Sequence, residues 1–397
     1  MIPYGRQDVT PSDIDAVVAV LRSDFLTQGP AVPAFEAAVA SRVGAKHAVA
    51  VNSATSALHI ACIALGLGAG DRLWTVPNTF VASANCGLYC GATVDFVDID
   101  PVTWNMSVRE LKEKLERASK SGTLPKIVVP VHFAGQPVEQ EAIWELAQQF
   151  GFRVVEDASH SIGATRNAEP AGSCRWSDIA VFSFHPVKIV TTGEGGIATT
   201  NDGDLAGKMS MLRSHGITRD PALFEVGMAS AGNEPSSDGE YPGWYYEQHA
   251  LGYNYRLTDL HAALGSSQLE RLDDYVERRN GLAQRYTEAF GKLPLQLPCV
   301  AKGNRSAFHL YVIQLLGESS GAMRRRVYDG LHHMGVGVNV HYMPVHLQPY
   351  YRRLGFKAGM YPHAEHHGKA AISLPLFPAM TESIQETVID AVTEVLR

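Results

Sequence analysis

Short apolar runs alternate with helical segments along the first 200 residues, and this alternation constrains the fold more than any other feature. Strands are predicted at residues 48–51, 72–76, 93–97, 126–131, 153–155 and 179–184. Helices are predicted near residue 10 and at residues 32–43, 53–65, 79–90, 107–118 and 138–150. Strands separated by such helices typically form a mainly parallel sheet with both faces covered. The pattern therefore predicts an α/β fold with a mainly parallel central sheet.

The last third of the chain is predicted to form a smaller α+β domain. One long helical pattern runs from Leu257 past Tyr286 and leads into this region. Strands are predicted there at residues 308–315 and 337–342, and helices at residues 321–334 and 383–396. We therefore expect a large domain over residues 1–270 and a small C-terminal domain over residues 271–397.

Residues 217–250 form a segment rich in glycine, proline and serine. Loops of this length in compact domains are often functional, which favours an active-site loop. A polar surface insertion explains the same composition. The sequence leaves both interpretations open.

Composition and charge exclude several classes of partner. The 397 residues carry a net charge of −7 and no basic run, so nucleic acid is not an expected ligand. No signal peptide and no apolar run of membrane-spanning length is visible, and five scattered cysteines are typical of a reduced, cytoplasmic protein. The C-terminal histidines do not have a strong ligand spacing, so no metal site is expected. An anionic substrate must therefore be held by local donors.

Lys188 is the first candidate for chemistry. It follows the apolar run at 179–184 and precedes a glycine-rich turn at 191–196. A lysine removed from water has a lowered pKa and becomes a nucleophile, which suits covalent attachment of pyridoxal phosphate. A single lysine is more often a surface residue, so Lys188 alone does not decide between the two.

Other segments supply what such a cofactor needs. Residues 52–58 place small residues and hydroxyls at the start of a helix, which is either a phosphate seat or a simple N-cap. Asp157 ends a predicted strand, where a carboxylate can keep a pyridine nitrogen protonated, and His160 could reach the ring's phenolic oxygen. A solvated acid at a strand end and a histidine with ordinary hydrogen-bond partners explain the same two residues. Residues 252–259 form an aromatic and polar cluster before a helix.

Taken in this order, the segments resemble the DegT/DnrJ/EryC1/StrS family of sugar-nucleotide aminotransferases, which are fold-type-I pyridoxal-phosphate enzymes. The resemblance extends from residue 4 to residue 378. Within the family it is strongest to the branch that serves pseudaminic acid biosynthesis. The segments that carry this closer match are residues 26–29, 52–58, 80–85, 182–188, 213–216 and 340–342.

The resemblance implies a role for each matching position. Lys188 would hold the cofactor covalently and act as acid and base, and Asp157 would pair with the pyridine nitrogen. Phe80 would stack on the ring, while Ala54, Thr55 and Ser183 would hold the phosphate. Asn254 would reach the phosphate of a neighbouring subunit, which implies a homodimer with shared active sites. The positions that would contact the sugar nucleotide are Tyr4, Asp24, Phe25, Leu26, Thr27, Ala54, Asn339, His341 and Tyr342.

The implied reaction moves an amino group from L-glutamate to C4 of a nucleotide-linked 4-keto-6-deoxy sugar. The expected substrate is UDP-2-acetamido-2,6-dideoxy-β-L-arabino-hexos-4-ulose, and other UDP-, dTDP- or GDP-linked 4-keto sugars are alternatives. The long segment at 217–250 departs from relatives, and residues 244–246 could line the nucleotide end. Dehydratases of the same family carry histidine at the lysine position, so Lys188 argues against that branch. A cofactor-binding regulator without turnover is a further alternative.

Overall fold

A computed structural model of the chain describes residues 1–226, 241–317 and 320–397. Its helices are α1 (Pro11–Leu21), α2 (Ala31–Val43), α3 (Ala54–Ala64), α4 (Ala82–Tyr89), α5 (Val108–Ser121), α6 (Gln140–Phe150), α7 (Gly203–Arg213), α8 (Asp259–Leu269), α9 (Leu272–Phe290), α10 (Ser320–His333), α11 (Pro349–Arg353), α12 (Pro362–Ala370) and α13 (Glu382–Val395). Its strands are β1 (His47–Val51), β2 (Arg72–Thr75), β3 (Thr93–Phe96), β4 (Ile127–Val129), β5 (Arg153–Asp157), β6 (Thr165–Arg166), β7 (Glu169–Pro170), β8 (Ile179–Ser183), β9 (Gly196–Thr200), β10 (Ile217–Thr218), β11 (Glu247–Gln248), β12 (Leu295–Gln296), β13 (Asn304–Arg305), β14 (Tyr311–Leu315) and β15 (Ala371–Leu374).

A seven-stranded sheet forms the centre of the molecule, with the order β1-β9-β8-β5-β4-β2-β3. Strands β8, β5, β4, β2 and β3 pair in parallel, whereas β9 runs antiparallel between β1 and β8. The α/β fold with a mainly parallel sheet is therefore confirmed. Strand β9 was not expected from the sequence, because its Gly196–Thr200 segment is short and lacks a continuous apolar run.

Helices cover both faces of this sheet, which explains why strands β4 and β8 are mainly apolar. All three residues of β4 are buried, as are four of the five in β8. Helix α5 packs through Leu111, Leu115 and Ala118 and exposes its charged face. Burial on both faces keeps the strand ends in fixed positions, and the cavity described below opens at those ends.

A second core lies in the C-terminal region, where β12, β14 and β15 form an antiparallel sheet. Helix α9 joins the two cores, since Tyr275 packs in one and Tyr286 in the other. The long helix predicted from Leu257 is instead two helices that separate at Arg271, whose guanidinium binds the buried Asp13 at 2.7 Å. The proposed domain boundary after residue 270 stays a prediction.

The predicted strand at residues 337–342 is wrong. This segment forms only an isolated bridge between Asn339 and Ser373 of β15. Outside that bridge, the Gly337 backbone N–H donates to the Ile2 carbonyl at 2.7 Å, and the Tyr342 backbone N–H donates to Asn78 Oδ1 at 3.2 Å. The segment is held in place as a wall of the cavity described below rather than as part of a sheet.

The segment at 217–250 is described at its two ends, where β10 pairs with β11. Residues 227–240, which carry most of the glycine- and serine-rich composition, lie outside the described residues. Trp244 is 72% exposed. Its expected position near a nucleotide stays a prediction. Throughout the described ranges, no helix combines the length and the apolar character needed to cross a membrane.

Candidate active site

A cavity of about 460 Å³ opens at the carboxyl edge of the large sheet. The loops that follow β1, β2, β4, β5 and β8 meet there, as expected for an α/β sheet in which parallel strands end at one edge. Eleven of the residues expected at the site line this cavity: Tyr4, Ala54, Thr55, Phe80, Asp157, His160, Ser183, Lys188, Asn339, His341 and Tyr342. The fold thus joins segments that are separated by more than 300 residues in the sequence.

Lys188 lies in the turn after β8, where its backbone N–H donates to the His185 carbonyl at 2.8 Å. Loss of water around the amine lowers the pKa of Lys188 from 10.5 to about 8, and the Asp157 carboxylate partly opposes this change. A sizeable fraction of the amine is therefore neutral near physiological pH. A neutral amine can act as a nucleophile and can accept a proton.

Asp157 ends β5 and is 5% exposed. Both of its carboxylate oxygens accept hydrogen bonds. Oδ2 accepts from Ser83 Oγ at 2.6 Å, and Oδ1 accepts from the Ser159 backbone N–H at 3.2 Å. The carboxylate is therefore fixed in one orientation at the wall of the cavity.

The start of α3 forms an anion seat. Ser53 is the N-cap and accepts from the Ser56 backbone N–H at 3.1 Å. Among the described residues, no acceptor binds the backbone N–H groups of Ala54 and Thr55, and both residues line the cavity together with Ser183. Free N–H groups at a helix N-terminus, with a hydroxyl beside them, suit a phosphate.

Aromatic rings face the cavity on its remaining sides. Phe80 is 59% exposed although it lines a cavity, so its ring is free to cover a planar group. The His160 Nε2 lies 3.2 Å from the Tyr342 hydroxyl. Burial lowers the pKa of His160 well below 6.5, and Lys188 adds to this effect, so the imidazole is neutral. Burial also lowers the pKa of His341 to about 3, and its Nδ1 lies 2.7 Å from Ser373 Oγ.

Comparison with known proteins agrees with this geometry. The model of the DegT/DnrJ/EryC1/StrS aminotransferase family matches residues 7–393. The chain belongs to this family. It is therefore an aminotransferase, and the family resemblance and enzyme class expected from the sequence are confirmed.

Curated relatives match the whole chain, and two of them are described here. The chain is 41% identical to the spore coat polysaccharide biosynthesis protein SpsC of Bacillus subtilis, over 100% of this chain and 97% of that protein. It is 35% identical to the UDP-4-amino-4,6-dideoxy-N-acetyl-β-L-altrosamine transaminase of Campylobacter jejuni, over 100% of this chain and 98% of that protein.

Two solved structures are similar to this chain over its whole length. Helicobacter pylori PseC, an aminotransferase involved in the biosynthesis of pseudoaminic acid, has a TM-score of 0.88 and 29% identity, with 100% of this chain and 99% of that chain covered. The putative sugar aminotransferase Spr1654 of Streptococcus pneumoniae, solved in a form with pyridoxal phosphate, has a TM-score of 0.85 and 27% identity over 100% of both chains.

Pyridoxal phosphate is the cofactor of this family, and the residues present fit it. The α3 start offers unpaired N–H groups for a phosphate, Lys188 offers a partly neutral amine, and Asp157 offers a fixed carboxylate. The buried Nδ1 of His160 has no partner within the described chain. The donors and acceptors of this cavity therefore match the phosphate, carbonyl and pyridine groups of the cofactor.

Five expected site residues lie outside the cavity of their own chain. Residues 24–27 sit beside the start of α8, where the Leu26 carbonyl accepts from the Asp259 backbone N–H at 3.1 Å and Thr27 bridges to Thr258. Phe25 and Leu26 are about half exposed. Asn254 forms a bridge with Ser214. The roles expected for Asp24, Phe25, Leu26, Thr27 and Asn254 stay predictions.

The cavity also contains residues that the sequence did not indicate. His309 is buried, and its ring centroid lies 4.4 Å from that of His160. Burial and Lys188 lower the pKa of His309 well below 6.5. His309 precedes an ordinary apolar strand, so no local pattern could have identified it. Thr79 and Ser159 also line the cavity. They directly precede the expected residues Phe80 and His160, and this adjacency could have indicated them.

Proposed function

We propose that this aminotransferase moves an amino group from L-glutamate to C4 of a nucleotide-linked 4-keto-6-deoxy sugar. The observation that carries the proposal is the cavity itself, because Lys188 and Asp157 line the same space as Tyr4, Asn339 and His341. The first two residues suit the cofactor, and the other three offer hydroxyl, amide and imidazole groups for a sugar. The names of the Campylobacter and Helicobacter relatives support this substrate class.

Each cavity residue has a defined task in this proposal. When bound, pyridoxal phosphate supplies an electron sink for the carbon that loses or gains a proton. Lys188 would hold the cofactor and, as a partly neutral amine, would accept and return the proton of the reacting carbon. Asp157 would keep the pyridine nitrogen protonated. Ala54, Thr55 and Ser183 would bind the phosphate, while Phe80 would cover the ring.

Three imidazoles near Lys188 are neutral. His160, His309 and His341 all have pKa values lowered by burial, and proximity to Lys188 lowers each of them further. They can therefore orient polar groups by hydrogen bonding without adding positive charge. The proton-transfer role is left to Lys188, whose pKa lies near neutral pH.

Our proposed substrate is UDP-2-acetamido-2,6-dideoxy-β-L-arabino-hexos-4-ulose, which places the enzyme in pseudaminic acid biosynthesis. The relative that is named for a UDP-linked amino sugar is 35% identical to this chain. The relative named for spore coat polysaccharide biosynthesis is 41% identical, which favours testing other nucleotide sugars as a second candidate class.

We also propose a homodimer with shared active sites. Asn254 and residues 24–27 lie outside the cavity of their own chain, although the family resemblance assigns them to phosphate and substrate binding. Phe25 and Leu26 expose apolar surface that a second copy would cover. The cytoplasmic location expected from the cysteine content stays a prediction.

A substrate panel tests the proposed reaction. Purified holoenzyme with L-glutamate is assayed against UDP-, dTDP- and GDP-linked 4-keto-6-deoxy sugars, with product detection by mass spectrometry and the Lys188→Ala variant as control. We expect the fastest amination of the UDP-linked 2-acetamido ketosugar. Faster turnover of a dTDP- or GDP-linked sugar would contradict the substrate, and no amination of any ketosugar would contradict the reaction.

A further inference from the structure

Two hydroxyl groups behind the cavity wall form a chain that ends on Asp157. Thr79 Oγ1 lies 2.7 Å from Ser83 Oγ, and Ser83 Oγ lies 2.6 Å from Asp157 Oδ2. Both hydroxyl residues are buried. Thr79 lines the cavity, whereas Ser83 is absent from its lining. Ser83 is therefore placed to influence the site through Asp157 without touching a ligand.

The hydrogen bonds from Thr79 through Ser83 to Asp157 have one possible direction when Asp157 is ionised. An ionised carboxylate only accepts hydrogen bonds, so the single proton of the Ser83 hydroxyl must point to Asp157. The Ser83 oxygen then accepts from Thr79. Donation runs from Thr79 to Ser83 to Asp157, and each bond polarises the next. The 2.6 Å distance is typical of a charge-assisted O–H···O⁻ bond.

Helix α4 gives this donor a rigid support. Ser83 lies in its first turn, Ala84 and Cys86 are buried, and Asn85 Oδ1 accepts from the Tyr351 hydroxyl at 2.6 Å. The other carboxylate oxygen is held independently by the Ser159 backbone N–H at 3.2 Å. Only the Ser83 bond can be removed by changing a side chain. It is thus the contact through which substitution can release the carboxylate.

We propose that Ser83, supported by Thr79, is a positioning residue that fixes the Asp157 carboxylate for its contact with the ring nitrogen of pyridoxal phosphate. This inference rests on the proposed role of Asp157. Without the hydroxyl, the carboxylate gains rotational freedom and loses a charge-assisted bond in a buried setting. Ser83→Ala therefore weakens cofactor binding and slows turnover, while the affinity for the sugar nucleotide is unchanged.

Binding of pyridoxamine phosphate to the apoenzyme tests this proposal without turnover, because this form of the cofactor does not link covalently to Lys188. We expect Ser83→Ala to raise its dissociation constant by about tenfold or more. Thr79→Val, which keeps the side-chain shape, should have a smaller effect. Ser161→Ala is the matched control, because Ser161 is equally buried and its hydroxyl donates to the Ala158 carbonyl at 3.2 Å.

A double-mutant cycle with Asp157→Asn separates positioning from a purely structural role. If Ser83 acts through the carboxylate, Ser83→Ala changes the dissociation constant less than about twofold in the Asp157→Asn background. Equal losses in both backgrounds would overturn the proposal, as would an effect of Ser83→Ala no larger than that of Ser161→Ala. Sugar amination is measured separately in the wild-type enzyme, so failure of the proposed reaction is distinguishable from failure of this inference.

Discussion

At the scale of single residues, the site depends on one amine whose charge is controlled by burial. Desolvation lowers the pKa of Lys188 to about 8, whereas it drives the nearby imidazoles of His160 and His309 to a neutral state. The same physical cause thus produces a titrating amine and non-titrating neighbours. Functional groups with such shifts are typical of catalytic sites.

The Lys188 pKa predicts the pH dependence of cofactor uptake. Only the neutral amine attacks the cofactor carbonyl, so the rate at which the apoenzyme takes up pyridoxal phosphate should rise with pH and reach half its maximum near pH 8. At pH 6 the rate should be about one-hundredth of the plateau. Stopped-flow absorbance measures this rate, and a midpoint near the ordinary lysine value of 10.5 would contradict a desolvated amine.

Substitution of the lysine supplies the control. Lys188→Ala removes the amine, and Lys188→Arg keeps a positive charge that does not titrate in this range. Neither variant should take up the cofactor covalently or complete transamination. Steady-state turnover by either variant would show that the catalytic role belongs to another residue.

At the scale of elements, the anion seat depends on close packing between α3 and β9. A Cβ atom on Gly196 would lie 2.4 Å from the Ala54 backbone nitrogen and 2.6 Å from the Ser53 carbonyl oxygen. Only glycine allows β9 to run this close to the helix start. The antiparallel strand therefore sets the position of the free N–H groups.

This packing predicts a selective effect of an added methyl group. Gly196→Ala should displace the start of α3, reduce the free energy of unfolding by about 1–3 kcal/mol and weaken binding of pyridoxamine phosphate. Gly207→Ala is the matched control, because Gly207 lies in helix α7 with nothing within 4 Å of its Cβ position. It should be neutral or stabilise by up to about 1 kcal/mol. Denaturant unfolding and spectral titration measure both variants, and equal behaviour would contradict the packing argument.

At the scale of the whole molecule, the single chain gathers most of the residues expected at the site, but not all of them. Asn254 and residues 24–27 lie outside the chain's own cavity. A second copy that contributes Asn254 would complete the phosphate-binding site formed by Ala54, Thr55 and Ser183. The proposed dimer would therefore be needed for catalysis as well as for stability.

Subunit complementation tests this sharing. Lys188→Ala and Asn254→Ala are each expected to reduce activity, and mixed dimers of the two variants should regain one intact site formed by Lys188 of one chain and Asn254 of the other. Activity of the mixture should therefore rise above that of either variant alone after unfolding and refolding together. No regain, or a monomer by light scattering, would contradict shared sites; mixing each variant with itself is the control.

The sequence was sufficient for the sheet and for many of the residues that line the cavity, because both produce local patterns. Strands such as β4 and β8 are buried on two faces and therefore appear as continuous apolar runs. Residues 52–58 and 182–188 carry small, hydroxyl and basic side chains in a spacing that is itself informative. The short strand β9 produces no such pattern, because its Gly196–Thr200 segment has no continuous apolar run. The predicted strand at 337–342 is a cavity wall, and its Tyr342 backbone N–H binds the Asn78 side chain instead of a neighbouring strand.

By itself, the sequence determined the α/β class, the family, the cofactor and the identity of Lys188 and Asp157 as candidate functional residues. Only the tertiary structure showed that Ser83 holds Asp157 from 74 positions away and that His309 packs against His160. It also decided which amine loses water and which imidazoles stay neutral. The reason is that strand and helix patterns are local, whereas burial and hydrogen-bond partners arise when distant segments meet.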